Sequence, residues 1–183
     1  MNFDWSVLRW IQEHLRCAPL DFFMPLISAL GNAGAIWIAA ALLLLCTKRY
    51  RRQGLLLAVG LCVGALCGNL LLKPLVTRAR PCWIDSSYPM LIAIPTDYSF
   101  PSGHTLSSVI AATLLYRTDR RFGWLAIALA ALIAFSRLYL YVHFPTDVLA
   151  AALMGIVIGL LSWQIGCALL DRRDARRASL THS

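Results

Sequence analysis

Five stretches of this 183-residue chain carry no Asp, Glu, Lys or Arg: 22–47, 53–72, 98–116, 122–136 and 148–170. A helix crossing a bilayer needs about 20 apolar residues, because no water in the ~30 Å hydrocarbon core can satisfy an open backbone. The first, second and last windows meet that length outright. The third and fourth reach it only when residues near a helix end, such as His104 and Arg137, are counted. The pattern predicts an all-α, polytopic membrane helix bundle with about five transmembrane spans, at 22–46, 54–73, 103–117, 122–141 and 147–169. A content of 59% hydrophobic and 14% charged residues argues against a soluble domain, which is nearer a quarter charged. The same content is too apolar for a disordered chain.

The N-terminus lacks a basic start followed by an apolar run, so it does not read as a signal peptide. Phe3, Val7, Trp10 and Ile11 fall at helical spacing, with Arg9, Gln12, Glu13 and Arg16 between them. That pattern predicts an amphipathic helix lying in the membrane interface, although a helix packed on the water side has the same pattern. The expected organisation is an interfacial helix at 1–17, a transmembrane domain at 18–170 and a basic tail at 171–183. Cys46, Cys62, Cys67 and Cys167 sit in apolar runs, and no C-x-x-C pair suits zinc.

Charge sets the orientation. Lys48, Arg49, Arg51, Arg52, Arg117, Arg120, Arg121, Arg172, Arg173, Arg176 and Arg177 fall on one face with three acids, Asp119, Asp171 and Asp174. The opposite face has six cations and six acids, so the whole net charge of +8 lies on the first. Basic loops stay cytoplasmic. The N-terminal helix and the long 77–101 connection are then expected outside and the C-terminus inside. Topology accounts for the basic face, and no nucleic acid is needed. Cys17 and Cys82 share the outer side, which leaves a disulfide between them open.

Lys73, Arg78, Arg80, His104, Arg137, His143 and Asp147 all fall at helix ends on that outer side. Ionisable groups at membrane depth are costly and point to function, although one alone can simply snorkel to the interface. Lys73, Arg80 and Arg137 supply three positive charges for the three non-bridging oxygens of a phosphoryl group. In Pro101-Ser102-Gly103-His104, Ser102 suits an N-cap and Gly103 allows close approach to the anion site at a helix start. Asp147 follows His143 by four residues, within reach of its ring, and Thr146 suits a cap for the last span. A histidine backed by a carboxylate serves as nucleophile or base, while the unbacked one serves as acid. Catalytic zinc wants a third protein ligand and would be opposed by the cations, so no metal is expected. His14 and His182 stand apart from this group.

Lys73 to Pro81 reads K-x-x-x-x-x-x-R-P, residues 101–104 read P-S-G-H, and Ser136 to Asp147 reads S-R-x-x-x-x-x-H-x-x-x-D. The three motifs, in order and with full spacing across roughly 54–170, resemble the type 2 phosphatidic acid phosphatase superfamily. The resemblance implies that His143 attacks phosphorus to form a phosphohistidine and that Asp147 orients it. His104 would protonate the leaving oxygen and then activate water. Lys73, Arg80, Ser102, Gly103 and Arg137 carry over as the phosphate cradle, and Arg78 falls outside the motif as a loop or headgroup contact.

Membrane members of the family act on lipid phosphates. The expected substrates are undecaprenyl pyrophosphate, phosphatidylglycerophosphate, phosphatidic acid or diacylglycerol pyrophosphate, with no cofactor and no obligatory protein partner. Some dedicated undecaprenyl pyrophosphatases carry Asp where Gly103 stands, which points away from that narrow role. A lipid phosphotransferase is the nearest alternative reading, and a lipid transporter or scramblase that only binds the headgroup is another. A third span of about 15 residues rises only about 22 Å. His104 is therefore expected slightly below the outer interface of the plasma membrane.

Overall fold

The computed structural model describes residues 3–181, and side chains from Phe3 to Arg176. Part of the predicted tail, His182 included, lies outside the described residues. The fold is all-helical: α1 (Phe3–His14), α2 (Ala18–Leu30), α3 (Ala35–Cys46), α4 (Arg51–Ala65), α5 (Lys73–Val76), α6 (Pro81–Ile84), α7 (Gly103–Thr118), α8 (Arg120–Tyr139) and α9 (Pro145–Thr181). Large side chains such as Leu43, Leu125 and Leu153 face outward and are more than half exposed. In water such a surface would be costly; in a bilayer it is the solvated face.

The expected first span is a broken one. Helices α2 and α3 meet at 45° across a tight turn at Asn32–Gly34. Gly34 adopts φ 71°, a left-handed conformation that glycine tolerates without penalty. The second span is also irregular, since α4 widens into a π-turn at Leu66–Leu72 before α5. Such widened turns are frequent at functional sites. The predicted tail continues α9 without a break as far as Thr181.

Among the described residues, three helical stretches are long and apolar enough to cross a membrane, and the bent α2–α3 pair is a fourth when counted as one span. Helix α7, the expected third span, has 16 residues and so rises only about 24 Å. It lies against α4, α8 and α9, with Leu106, Ile110, Ala111, Leu114 and Leu115 buried. Glycines bring its neighbours close. A Cβ on Gly60, Gly64 or Gly68 would come within 2.9, 2.4 and 2.5 Å of Leu114, Ile110 and Leu106. Across the other seam, Gly155 and Gly159 of α9 meet Val109 and Thr113, each at 2.8 Å. Small residues at four-residue spacing permit this approach, as in other membrane helix pairs.

At one end of the bundle, α1 closes over the turn between α8 and α9. Leu8 and Ile11 pack with Tyr139, Leu140, Val142 and Phe144, and Gln12 Nε2 donates to the Tyr139 carbonyl at 2.8 Å. Phe3 and Trp10 remain exposed. The amphipathic pattern therefore has a protein-facing side as well as an outward one.

Candidate active site

The three motifs meet at one cavity of about 970 Å³, lined by Lys73, Arg80, Gly103, His104, Arg137 and His143. The π-turn delivers Lys73, the residue before α6 is Arg80, and the first turn of α7 carries Gly103 and His104. Arg137 sits in the last turn of α8, and His143 in the turn before α9. Ser102 and Asp147 stand behind this lining, fully buried. From the polar end, the cavity continues between α3 and α4 along Ile38, Leu42, Leu45, Ala58 and Leu61.

His143 is held at both ring nitrogens. Its Nε2 lies 3.1 Å from Arg80 Nη1, and since arginine can only donate, Nε2 is the acceptor and the ring proton is on Nδ1. Asp147 lies within reach of the ring, with Nδ1 and Oδ2 3.7 Å apart, an ion-pair distance but too long for a direct hydrogen bond. Ser99 fills the gap. Its Oγ is 3.3 Å from Nδ1 and donates to Asp147 Oδ2 at 2.5 Å. The Phe144 backbone N–H also donates to Oδ2, at 2.9 Å. Burial pushes the His143 imidazole down to about 3; Asp147 pulls the other way, and Arg80 and Arg137 add to the depression. The ring is neutral, with an unprotonated nitrogen aimed into a cationic cavity.

The cations are not equally free. Arg80 donates through Nη1 to the Val142 carbonyl, through Nε to the Asp97 carbonyl and through Nη2 to Asp97 Oδ1, each at 2.7 Å. Lys73 also pairs with the Asp97 carboxylate. Burial alone would raise the Asp97 carboxyl, but Lys73 and Arg80 outweigh it and hold it at about 2. Arg137 donates to Ser28 Oγ, while its Nε is buried without a hydrogen-bond partner. A buried donor in that state is suited to an incoming anion.

His104 Nε2 donates to Asn32 Oδ1 at 2.9 Å, so the turn that breaks the first span also fixes the second imidazole. Gly31 makes room for it, since a Cβ there would lie 2.7 Å from His104 Cδ2. Ser102 occupies the N-cap position, yet no side chain caps α7; its hydroxyl instead accepts from Thr105 Oγ1 at 3.0 Å. Thr146 likewise lies inside α9 and does not cap it. Arg78 binds Asp147 and Asp4, not a loop. Cys17 and Cys82 are both free, Cys17 exposed and Cys82 buried. Among the described residues, no group of three or more His, Cys, Asp or Glu is placed to hold a metal ion.

Sequence reasoning passed over Asn32, Asn69, Asp97 and Ser99. The two amides carried a signal, because each interrupts an apolar window and both line the cavity. Asn69 Oδ1 would be 3.1 Å from a Cβ at position 103, so the absence of a side chain there keeps this wall open. Asp97 and Ser99 sit in a connection rich in turn formers, where one more polar residue is unremarkable.

A cationic pocket that continues along apolar side chains suits a phosphate attached to a membrane-embedded tail, the substrate type of a membrane lipid phosphatase. Residues 53–169 match the family model described as PAP2 superfamily. The chain is 37% identical over 150 residues to an undecaprenyl-diphosphatase of Sulfolobus acidocaldarius, covering 81% of this chain and 71% of that one. It is 32% identical over 134 residues to a decaprenylphosphoryl-5-phosphoribose phosphatase of Mycobacterium tuberculosis, covering 71% of each. The crystal structure of Aquifex aeolicus LpxE superposes with a TM-score of 0.79 at 26% identity, over 90% of this chain and 96% of that one. The chain belongs to the PAP2 superfamily, as a membrane lipid phosphatase.

Proposed function

We propose that this enzyme removes phosphate from a lipid phosphate or pyrophosphate, a polyprenyl pyrophosphate foremost, through a phosphohistidine on His143. The observation that carries this reading is the placing of His143 Nε2, 3.1 Å from Arg80 Nη1, in the same cavity as His104, Lys73 and Arg137. Nε2 attacks phosphorus, the bond from phosphorus to the bridging oxygen breaks, and His104 gives that oxygen its proton. Water, deprotonated by His104, then attacks phosphorus and breaks the P–N bond. The products are the shortened lipid and inorganic phosphate. Lys73, Arg80 and Arg137, with the α7 N-terminus at Ser102 and Gly103, hold the phosphoryl oxygens. Asp147 orients His143 through Ser99.

Two relatives named for polyprenyl substrates, and the apolar continuation of the cavity between α3 and α4, favour a long isoprenoid tail. Purified protein in mixed micelles should release phosphate fastest from undecaprenyl pyrophosphate, ahead of phosphatidylglycerophosphate and phosphatidic acid. A reversed order would remove the polyprenyl preference. His143→Ala should lower turnover by about three orders of magnitude or more, as expected when a covalent nucleophile is deleted. More than a few per cent of residual turnover would overturn its role.

The distribution of basic residues supports an active site facing away from the cytoplasm. Cys17 and Cys46 are both exposed and stand at opposite ends of the α2–α3 pair. With Cys17 as the only cysteine, an impermeant maleimide should label intact cells. With Cys46 alone it should label only after lysis, and the opposite pattern would turn the site inward.

A further inference from the structure

Arg78 lies outside the three motifs, yet its guanidinium joins two carboxylates from distant parts of the chain. Nη1 donates to Asp147 Oδ1 at 2.5 Å, and Nη2 donates to Asp4 Oδ2 at 2.6 Å. Nη1 also donates to Thr146 Oγ1 at 2.7 Å, and the guanidinium carbon stands 4.2 Å from the centre of the Phe144 ring. Asp4 in turn accepts from the Thr146 backbone N–H at 3.0 Å and from Thr146 Oγ1 at 2.7 Å. A carboxylate on α1 thereby takes the place of the cap that α9 lacks. Asp4 and Asp147 are both buried, while the Arg78 side chain is 29% exposed.

The two oxygens of Asp147 have separate tasks. Oδ2 accepts from Ser99 and Phe144 on the His143 side, and Oδ1 accepts from Arg78. Without a donor on Oδ1, the carboxylate would be free to turn and a buried charge would be left uncompensated. Asp4 does the same for Arg78, whose planar fork can bridge two carboxylates in a way that lysine cannot.

We propose that Arg78 and Asp4 form an outer positioning pair for Asp147, which makes helix α1 a support of the catalytic turn. This rests on the reading of Asp147 as the group that orients His143. Phosphate release from undecaprenyl pyrophosphate in detergent micelles, with the full chain, tests it against Asp147→Asn as reference. Arg78→Ala should lower kcat by about 10- to 100-fold, the usual cost of losing an outer-shell partner, and leave KM within about twofold. Added methylguanidinium should restore part of that loss, whereas ammonium should not. Asp4→Asn should lower kcat less, and the double variant should be no worse than Arg78→Ala, as coupled partners require.

Retention of kcat within about twofold in both Arg78→Ala and Asp4→Asn, with Asp147→Asn impaired, would overturn the pair. Loss of kcat that methylguanidinium fails to restore, accompanied by a raised KM, would also overturn it, as a general collapse of the site. Should Arg78→Ala not fold, Arg78→Lys and Asp4→Asn carry the same kcat-against-KM reading. Full activity in Asp147→Asn would instead remove the functional reading beneath the proposal.

Discussion

Ser99 donates to Asp147 Oδ2 at 2.5 Å, and that one hydroxyl gives the carboxylate a hydrogen-bonded link to the His143 ring. The chain between His143 and Asp147 turns at Phe144-Pro145 and holds the side chains 3.7 Å apart, at ion-pair distance but beyond a direct hydrogen bond. Ser99→Ala should therefore uncouple Asp147 from His143 with little change in packing. A drop of about 10- to 100-fold in the rate of phosphoenzyme formation is expected, with the melting temperature nearly unchanged. A single-turnover rate equal to that of the parent enzyme would show that the hydroxyl only fills space.

Asp97 shares Lys73 and Arg80 with the phosphoryl group they are proposed to hold. Neutralising it in Asp97→Asn removes a competitor, so vanadate inhibition should tighten by about tenfold, the scale of one charge-assisted hydrogen bond. Inhibition constants measured across a salt series decide the matter. Weaker inhibition in the variant would mean that Asp97 aligns the two cations instead of competing for them.

Asn32 fixes His104, and its effect should depend on the leaving group. A p-nitrophenolate ion departs without needing a proton, whereas a lipid alkoxide does not. Asn32→Ala should cost about 100-fold with a lipid phosphate, within the range of general acid catalysis, and only a few-fold with p-nitrophenyl phosphate. Equal losses on both substrates would detach Asn32 from proton transfer.

Gly155 tests the packing of the short central helix. Adding a methyl group there brings Cβ to 2.8 Å from Val109 Cβ, close to the backbone of α7, where relief requires the helices to part. Gly155→Ala should destabilise the protein by about 1–3 kcal/mol, the range for overpacking a core, seen as a lower melting temperature in detergent. An unchanged melt would mean that the α7–α9 seam opens at no cost.

The reach of the sequence followed the physics of each signal. Desolvation of charge acts over a whole window, so the apolar stretches marked the helices well, and the motif residues that line the cavity are those placed by charge and spacing. The break at Asn32–Gly34 was less visible, because a bent helix pair and a straight span have the same composition. Hydrogen-bond partners drawn from distant segments, such as Ser99, Asp97 and Asp4, leave no periodic trace. Ser102 and Thr146 had the right chemistry for caps, but the Thr105 hydroxyl in the same turn claimed Ser102 and an aspartate from another helix displaced Thr146. The glycines at 60, 64, 68, 155 and 159 were readable as four-residue spacing, and their meaning emerged only with α7 between them.

The cavity between α3 and α4 has a kinetic consequence. Ile38 and Leu42 on its wall are about half exposed, so under the proposed function a lipid would enter sideways from its own leaflet. Encounter is then a search in two dimensions. The rate should follow the mole fraction of substrate within the micelle or bilayer, not its bulk concentration, and inert lipid should slow the enzyme by dilution alone.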